Sequence, residues 1–81
     1  MTVAKHIVNW GMNDARLYQR ALELHAIDYC ASVRMGSTRA LVWVQDTYDR
    51  GRQAGDLPRC TMPDLLEAAK EFVEYKIKEL T

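Results

Sequence analysis

The sequence lacks most of the features that would indicate a chemical activity. It contains only two cysteines and two histidines, and no two of them have the close spacing of a zinc module. Its 11 basic residues are balanced by 11 acidic ones, so no basic excess favours the phosphate backbone of nucleic acid. No window holds the roughly 20 apolar residues of a membrane span. The composition therefore disfavours metal chemistry, nucleic-acid binding and membrane insertion.

A secretory signal is also lacking. The N-terminal apolar run stops at Val8 and is followed by Asn9 and Asn13, whereas a signal peptide needs a longer apolar core. We therefore expect a cytoplasmic protein. Because the cytosol keeps thiols reduced, we also expect Cys30 and Cys60 to be free thiols.

The chain does have enough apolar material to fold. Its 81 residues are 48% hydrophobic and 27% charged, a balance typical of a globular domain rather than of a disordered chain. The length does not allow two hydrophobic cores. The sequence predicts one domain over residues 1–81.

The C-terminal segment carries the clearest helical pattern. Thr61 offers an N-cap hydroxyl, Pro63 suits the first turn, and Asp64 can complete a capping box. Apolar residues then recur at helical spacing. The predicted core stripe comprises Leu66, Ala69, Val73, Ile77 and Leu80, widened by Leu65, Ala68 and Phe72. This pattern predicts a helix over residues 62–80.

Residues 38–54 show a second helical pattern, which ends at Gly55. We expect Ser37 or Thr38 to cap its N-terminus. The predicted inward residues are Ala40, Trp43, Val44, Thr47, Tyr48, Gly51 and Ala54. Gly51 leaves two interpretations open, because a glycine within a helix indicates either close approach by another helix or the fraying of the helix that Gly55 ends.

A third helix is predicted over residues 14–26, with Asn13 or Asp14 as its cap. Its predicted inward residues are Leu17, Tyr18, Ala21, Leu22 and Leu24. The first segment, residues 3–10, is short enough to be a helix or a strand, and we expect Gly11 to end it.

Residues 27–35 alternate between apolar and polar side chains, which is the period of a strand, and Gly36 with Ser37 would then form a hairpin turn. The partner strand would be residues 40–44, which fit a helix better. We therefore predict that the central helix continues to Met35, that Gly36 ends it and that Ser37 starts the next. The predicted fold is all-α, a small three- to four-helix bundle; the alternative is an α+β fold with a hairpin or short sheet around residues 27–46.

Two patterns resemble functional motifs without meeting their requirements. The stretch from Arg34 to Arg39 has one glycine and no lysine, so it is not a P-loop. As a helix-turn-helix elbow it is too tight, and Arg39, Arg50 and Arg52 of the helix that follows do not lie on one stripe. His25, Asp28 and Ser32 lie one helical turn apart, but nothing near them supplies an oxyanion hole. We expect no catalytic site, no metal site and no cofactor.

Exposed arginine and aromatic side chains are typical of protein-binding surfaces. The candidate partner-binding residues are Trp10, Arg16, Arg20, Arg34, Arg39, Arg50, Arg52 and Tyr75. Trp10 has a second interpretation, in which it packs across the end of the bundle.

The resulting hypothesis is a small non-catalytic protein–protein interaction module. Its size and character suit an inhibitor or adaptor of a host protein complex such as phages and mobile elements encode. One alternative is a DNA-binding regulator that uses the region from Arg34 to Arg52. The other is a homodimeric structural protein sealed by the Gly51 face or by Leu66, Val73 and Ile77.

Overall fold

The computed structural model describes residues 2–23 and 33–80, and the side chains of residues 2–23 and 39–75. This part of the chain forms four α-helices and no strand. They are α1 (Val3–Met12), α2 (Ala15–Glu23), α3 (Val33–Gln53) and α4 (Met62–Leu80). The predicted all-α fold is confirmed. None of the helices described is long and apolar enough to cross a membrane.

The first segment is a helix, and Gly11 does not end it. The Thr2 hydroxyl caps α1 by accepting the Lys5 N–H at 3.2 Å, and the helix continues through Gly11 to Met12. Gly11 is buried against α3, where a Cβ atom would lie only 2.5 Å from the Trp43 ring and 2.8 Å from Thr47. The prediction that Gly11 stops the helix was wrong, because this glycine provides a close helix–helix contact.

The start of α2 was predicted correctly, but its buried face is narrower than expected. The Asp14 carboxylate accepts the backbone N–H groups of Arg16 and Leu17, both at 3.1 Å, and so acts as the N-cap. Leu17 is fully buried, whereas Tyr18 and Leu22 are 43% and 46% exposed. The prediction that Tyr18 and Leu22 point inward was wrong, because this short helix packs against α1 and α3 through one face only. Residues 24–26 of the predicted helix lie outside the described residues.

Helix α3 is continuous from Val33 to Gln53, and this corrects the prediction for Gly36 and Ser37. Gly36 does not end a helix, neither Ser37 nor Thr38 is an N-cap, and no hairpin turn occurs there. A glycine weakens a helix by about 1 kcal/mol but ends it only where the backbone turns to positive φ. Among the described residues Gly55 alone does so, at 78°. Residues 27–32 of the α+β alternative lie outside the described part.

The end of α3 is a Schellman motif, which confirms the predicted stop at Gly55. The Gly55 N–H donates to the Arg52 carbonyl at 3.1 Å, and the Asp56 N–H donates to the Gly51 carbonyl at 2.9 Å. Leu57 then folds back over Gly51, where an added Cβ would lie 2.2 Å from a Leu57 methyl carbon. Gly51 is therefore neither frayed nor a helix–helix contact; the close approach comes from the following loop.

Helix α4 begins as predicted but is rotated relative to its predicted stripe. The Asp64 carboxylate accepts the Thr61 backbone N–H at 3.1 Å and the Thr61 hydroxyl at 3.0 Å. The buried residues of α4 are Leu65, Ala68, Ala69 and Phe72. Leu66 is 49% exposed, so the prediction that it belongs to the core stripe was wrong. Val73 is half-buried and packs against the edge of the core. The side chains of Ile77 and Leu80 lie outside the described residues.

The core explains this rotation. Phe72 stacks on Trp43, with ring centroids 4.3 Å apart and an interplanar angle of 17°. The buried Trp43 indole N–H donates to the Leu17 carbonyl at 2.9 Å, and the buried Thr47 hydroxyl donates to the Trp43 carbonyl at 2.7 Å. These contacts join α2, α3 and α4 around one large side chain and place Phe72, rather than Leu66, at the centre of the packed face.

On α3, the predicted inward face is largely confirmed. Its buried members are Ala40, Trp43, Val44, Thr47 and Gly51. Tyr48 is half-buried and packs against the core, whereas Ala54 is exposed because the helix has ended.

Candidate functional site

The arginines predicted to bind a partner do not share one role. Arg20 pairs with Asp46, which links α2 to α3 through two half-exposed side chains. Arg52 donates to the Leu57 carbonyl at 2.9 Å and so supports the loop that closes α3. Arg16 and Arg50 are exposed. Two of these candidate residues therefore stabilise the fold through contacts within the chain.

The remaining arginines lie on α3. Arg39 is exposed and, being eleven residues from Arg50, lies on the same side of the helix. Arg52 lies on a different side, two residues beyond Arg50. The side chain of Arg34 is outside the described residues.

Trp10 packs across the end of the bundle. It is half-buried against the core, and its indole N–H donates to the Asp56 carboxylate at 2.9 Å. His6 Nε2 lies 3.5 Å from the Asp56 carbonyl oxygen, too far for a strong hydrogen bond. Trp10 thus fastens the α3–α4 loop to α1, and its polar atom is already occupied.

Helix α4 presents an apolar ridge of three residues, two of which, Leu66 and Val73, were predicted from the sequence to lie in the core. Met62 is 53% exposed, Leu66 is 49% exposed, and Val73 is half-buried. Their separations of four and seven residues keep them on one side of the helix. We call these three residues the α4 ridge. One signal in the sequence indicated that one leucine here is exposed, without showing which: Leu65 and Leu66 are adjacent, so they point about 100° apart and cannot both face the centre of the core.

A groove runs between α1 and α4, on the opposite side of α4 from this ridge. Its volume is about 200 Å³, and it is lined by Lys5, Val8, Asn9, Glu71 and Tyr75. Tyr75 and Leu66 are nine residues apart, which corresponds to half a turn of the helical circumference. The groove therefore places the predicted partner residue Tyr75 beside one basic and one acidic side chain. Neither Lys5 nor Glu71 could be recognised from the sequence as part of a site, because the two are 66 positions apart.

Cys60 is a free, half-buried thiol that donates to the Pro58 carbonyl at 3.3 Å. Burial raises the pKa of Cys60, the nearby Asp64 carboxylate raises it further, and Arg52 partly offsets both effects. A raised pKa keeps the thiol protonated at neutral pH and lowers its nucleophilicity. This is the opposite of the tuning that a catalytic cysteine receives.

The remaining candidate ligands and catalytic residues lie only partly within the described residues. No group of three potential metal ligands occurs among the described residues. The predicted free thiol at Cys30, and the line of His25, Asp28 and Ser32, lie outside them.

In comparisons with known proteins, no protein-family model, no curated protein and no solved structure matches this chain.

Proposed function

We propose that the protein is a small non-catalytic protein–protein interaction module that docks through the α4 ridge. The observation that carries the proposal is the half-exposure of Met62 and Leu66, one helical turn apart. Full burial of such a side chain contributes about 1.5 to 3 kcal/mol. Because Met62 and Leu66 are half-exposed, each gains only about half of that free energy in the isolated domain. A partner that covered both would recover it.

The partner that fits this surface is an apolar helix face of another protein. Met62 and Val73 are eleven residues apart, so the ridge extends for roughly 16 Å along one side of α4. A straight ridge of this kind packs into the groove between side-chain rows of a second helix. Acting in the cytoplasm as an inhibitor or adaptor requires only such a docking surface, because occupying a partner's helix is enough to block or redirect it.

The structural details favour this proposal over the two alternatives. A DNA-binding regulator would use the region from Arg34 to Arg52, where a helix-turn-helix needs a turn between two helices, but α3 passes through Gly36 and Ser37 without one. A homodimer sealed by the Gly51 face would have to displace Leu57, which is buried over that glycine. A homodimer could still form through Leu66 and Val73. The experiment must therefore distinguish self-association through these residues from docking of another protein.

The test compares photo-crosslinkers placed at Leu66 and at Leu22. The two leucines are almost equally exposed, at 49% and 46%, but lie on different helices. Benzoylphenylalanine at position 66, expressed in the native host, is expected to crosslink to a helix of one other protein, mapped by mass spectrometry; position 22 is the matched control. Crosslinks from 66 only to a second copy of this chain would establish the homodimer instead, and equal labelling from both positions would refute the proposal.

Substitutions then measure the contact with the purified partner. Leu66→Asn is expected to weaken binding by at least about tenfold, equivalent to 1.4 kcal/mol, whereas Leu22→Asn leaves it unchanged. Since Leu66 buries about half of its surface, Leu66→Asn should lower the free energy of unfolding by about 1 to 2 kcal/mol. Leu65→Ala, one residue away but only 8% exposed, should cost about 2 to 4 kcal/mol. Unchanged binding by Leu66→Asn would exclude the α4 ridge as the docking surface.

A further inference from the structure

The groove between α1 and α4 contains two opposite charges that do not pair with each other. Lys5, Val8 and Asn9 come from one side of α1, and Glu71 and Tyr75 come from one side of α4. No ion pair within 4.0 Å joins Lys5 or Glu71 to any described residue. The ammonium and carboxylate groups thus line the same cavity of about 200 Å³ while each keeps its capacity to bind a counter-charge.

Two apolar or aromatic side chains line the same groove as these two charged residues. Val8 is buried and Tyr75 is half-exposed, and both line the groove. Small-molecule sites combine such an apolar lining with a few polar groups that orient the ligand. The cavity is smaller than the several hundred Å³ of a site for a drug-sized molecule, which limits the ligand to a small one.

We infer that this groove binds a small aliphatic zwitterion of the amino-acid class. Lys5 binds its carboxylate, Glu71 binds its ammonium group, and the aliphatic body lies against Val8 and Tyr75. Both contacts are charge-assisted hydrogen bonds, which are stronger than neutral ones. Because Lys5 is exposed and Glu71 half-exposed, solvent screens both contacts, and we expect a dissociation constant on the order of 1 mM, appropriate for so small a ligand.

The inference does not depend on the α4 ridge, because the groove lies on the other side of α4. The experiment is a titration of the ¹⁵N-labelled protein, followed by amide chemical shifts. The probes are leucine and 5-aminopentanoate, which differ in the separation of their two charges. Leucinamide lacks the carboxylate and pentanoate lacks the ammonium group, so each tests one half of the recognition.

We expect at least one zwitterion to shift the amides of residues 5–9 and 71–75 saturably, and both single-charge analogues to bind at least about tenfold more weakly. Lys5→Gln and Glu71→Gln should each reduce binding at least tenfold. Lys70→Gln and Glu67→Gln remove one positive and one negative charge from exposed positions of α4. These two substitutions, and Leu66→Asn, should leave the affinity for the zwitterion unchanged.

Three results would overturn the inference. One is the absence of saturable shifts at about 20 mM of either zwitterion, roughly twenty times the expected constant. Another is equal binding of leucine and leucinamide, or of 5-aminopentanoate and pentanoate. The third is wild-type affinity in both Lys5→Gln and Glu71→Gln. None of these results bears on docking through Leu66, so the two proposals succeed or fail separately.

Discussion

Single glycines determine two of the closest contacts in the molecule. At Gly51 the space that a Cβ would occupy is filled by Leu57, and at Gly11 it is filled by Trp43 and Thr47. In both cases the glycine lies within a helix, where its low helix propensity costs about 1 kcal/mol. The cost is offset because a neighbouring apolar side chain packs directly on the backbone.

The contact at Gly11 leads to the first prediction. In Gly11→Ala the new methyl group would lie 2.5 Å and 2.8 Å from two carbons of the buried Trp43 ring. Overpacking of this kind costs about 1 to 3 kcal/mol, more than the gain in helix propensity, so we expect a net loss of about 1 to 2 kcal/mol in urea unfolding. Lys5→Ala, at an exposed position of the same helix, should stay within about 0.5 kcal/mol.

A double-mutant cycle identifies the cause of that loss. Phenylalanine lacks the ring carbons of Trp43 that approach Gly11, so Gly11→Ala should cost less in a Trp43→Phe background. We expect a coupling free energy of about 1 kcal/mol between the two substitutions. Additive effects would mean that Trp43 does not limit the approach of α1 to α3.

At the scale of the helix, the positions of several helix ends were predictable from the sequence, but the rotation of α4 about its own axis was not. The caps at Asp14 and Thr61 and the stop at Gly55 depend on groups within a few positions along the chain, so local chemistry is sufficient to find them. The rotation of α4 depends on Phe72 meeting Trp43 of another helix. A helical pattern with two adjacent leucines fits either rotation equally well.

The same distinction applies to the candidate site. Tyr75 was recognised from the sequence as an outward aromatic residue. Its neighbours Lys5 and Glu71 come from helices at opposite ends of the chain, and only tertiary packing brings them into one groove. Leu66 was missed for the opposite reason, because an apolar residue at helical spacing is ordinarily assigned to the core. Met62 lay outside the predicted stripe and was not considered as a surface residue.

The continuity of α3 through Gly36 leads to the prediction at this scale. In a helix that runs from Val33, Thr38 lies in the second turn, where proline removes a backbone hydrogen bond and clashes with the preceding turn. Thr38→Pro should therefore lower the free energy of unfolding by about 2 to 3 kcal/mol, measured by circular dichroism in urea. In a helix that began at Thr38, proline would occupy a favoured first-turn position.

Thr38→Ala is the control, since it keeps the backbone donor and changes only the side chain. We expect it to alter the free energy of unfolding by no more than about 0.5 kcal/mol. A Thr38→Pro protein as stable as this control would show that the helix starts after Gly36.

At the scale of the whole molecule, the described helices share one core. Its buried residues come from α1, α2, α3 and α4, together with Leu57 of the loop. Helix α1 contacts each of the other three helices, and Trp10 ties its end to Asp56. A small domain with a single core is expected to unfold in one cooperative step.

The two tryptophans allow that cooperativity to be measured. In Trp10→Phe the remaining indole is Trp43, which reports only on the core, whereas circular dichroism reports on all the helices. We expect the two thermal transitions of this variant to coincide.

Loss of the indole bond to Asp56 costs about 1 kcal/mol, which should lower the midpoint by roughly 4 to 8 °C relative to the unsubstituted protein. Tyr18→Phe, at an exposed aromatic position, should leave the midpoint unchanged. A loss of helicity that precedes the change in Trp43 fluorescence would show instead that part of the bundle unfolds independently of the core, and an unchanged midpoint would show that Trp10 does not stabilise the loop.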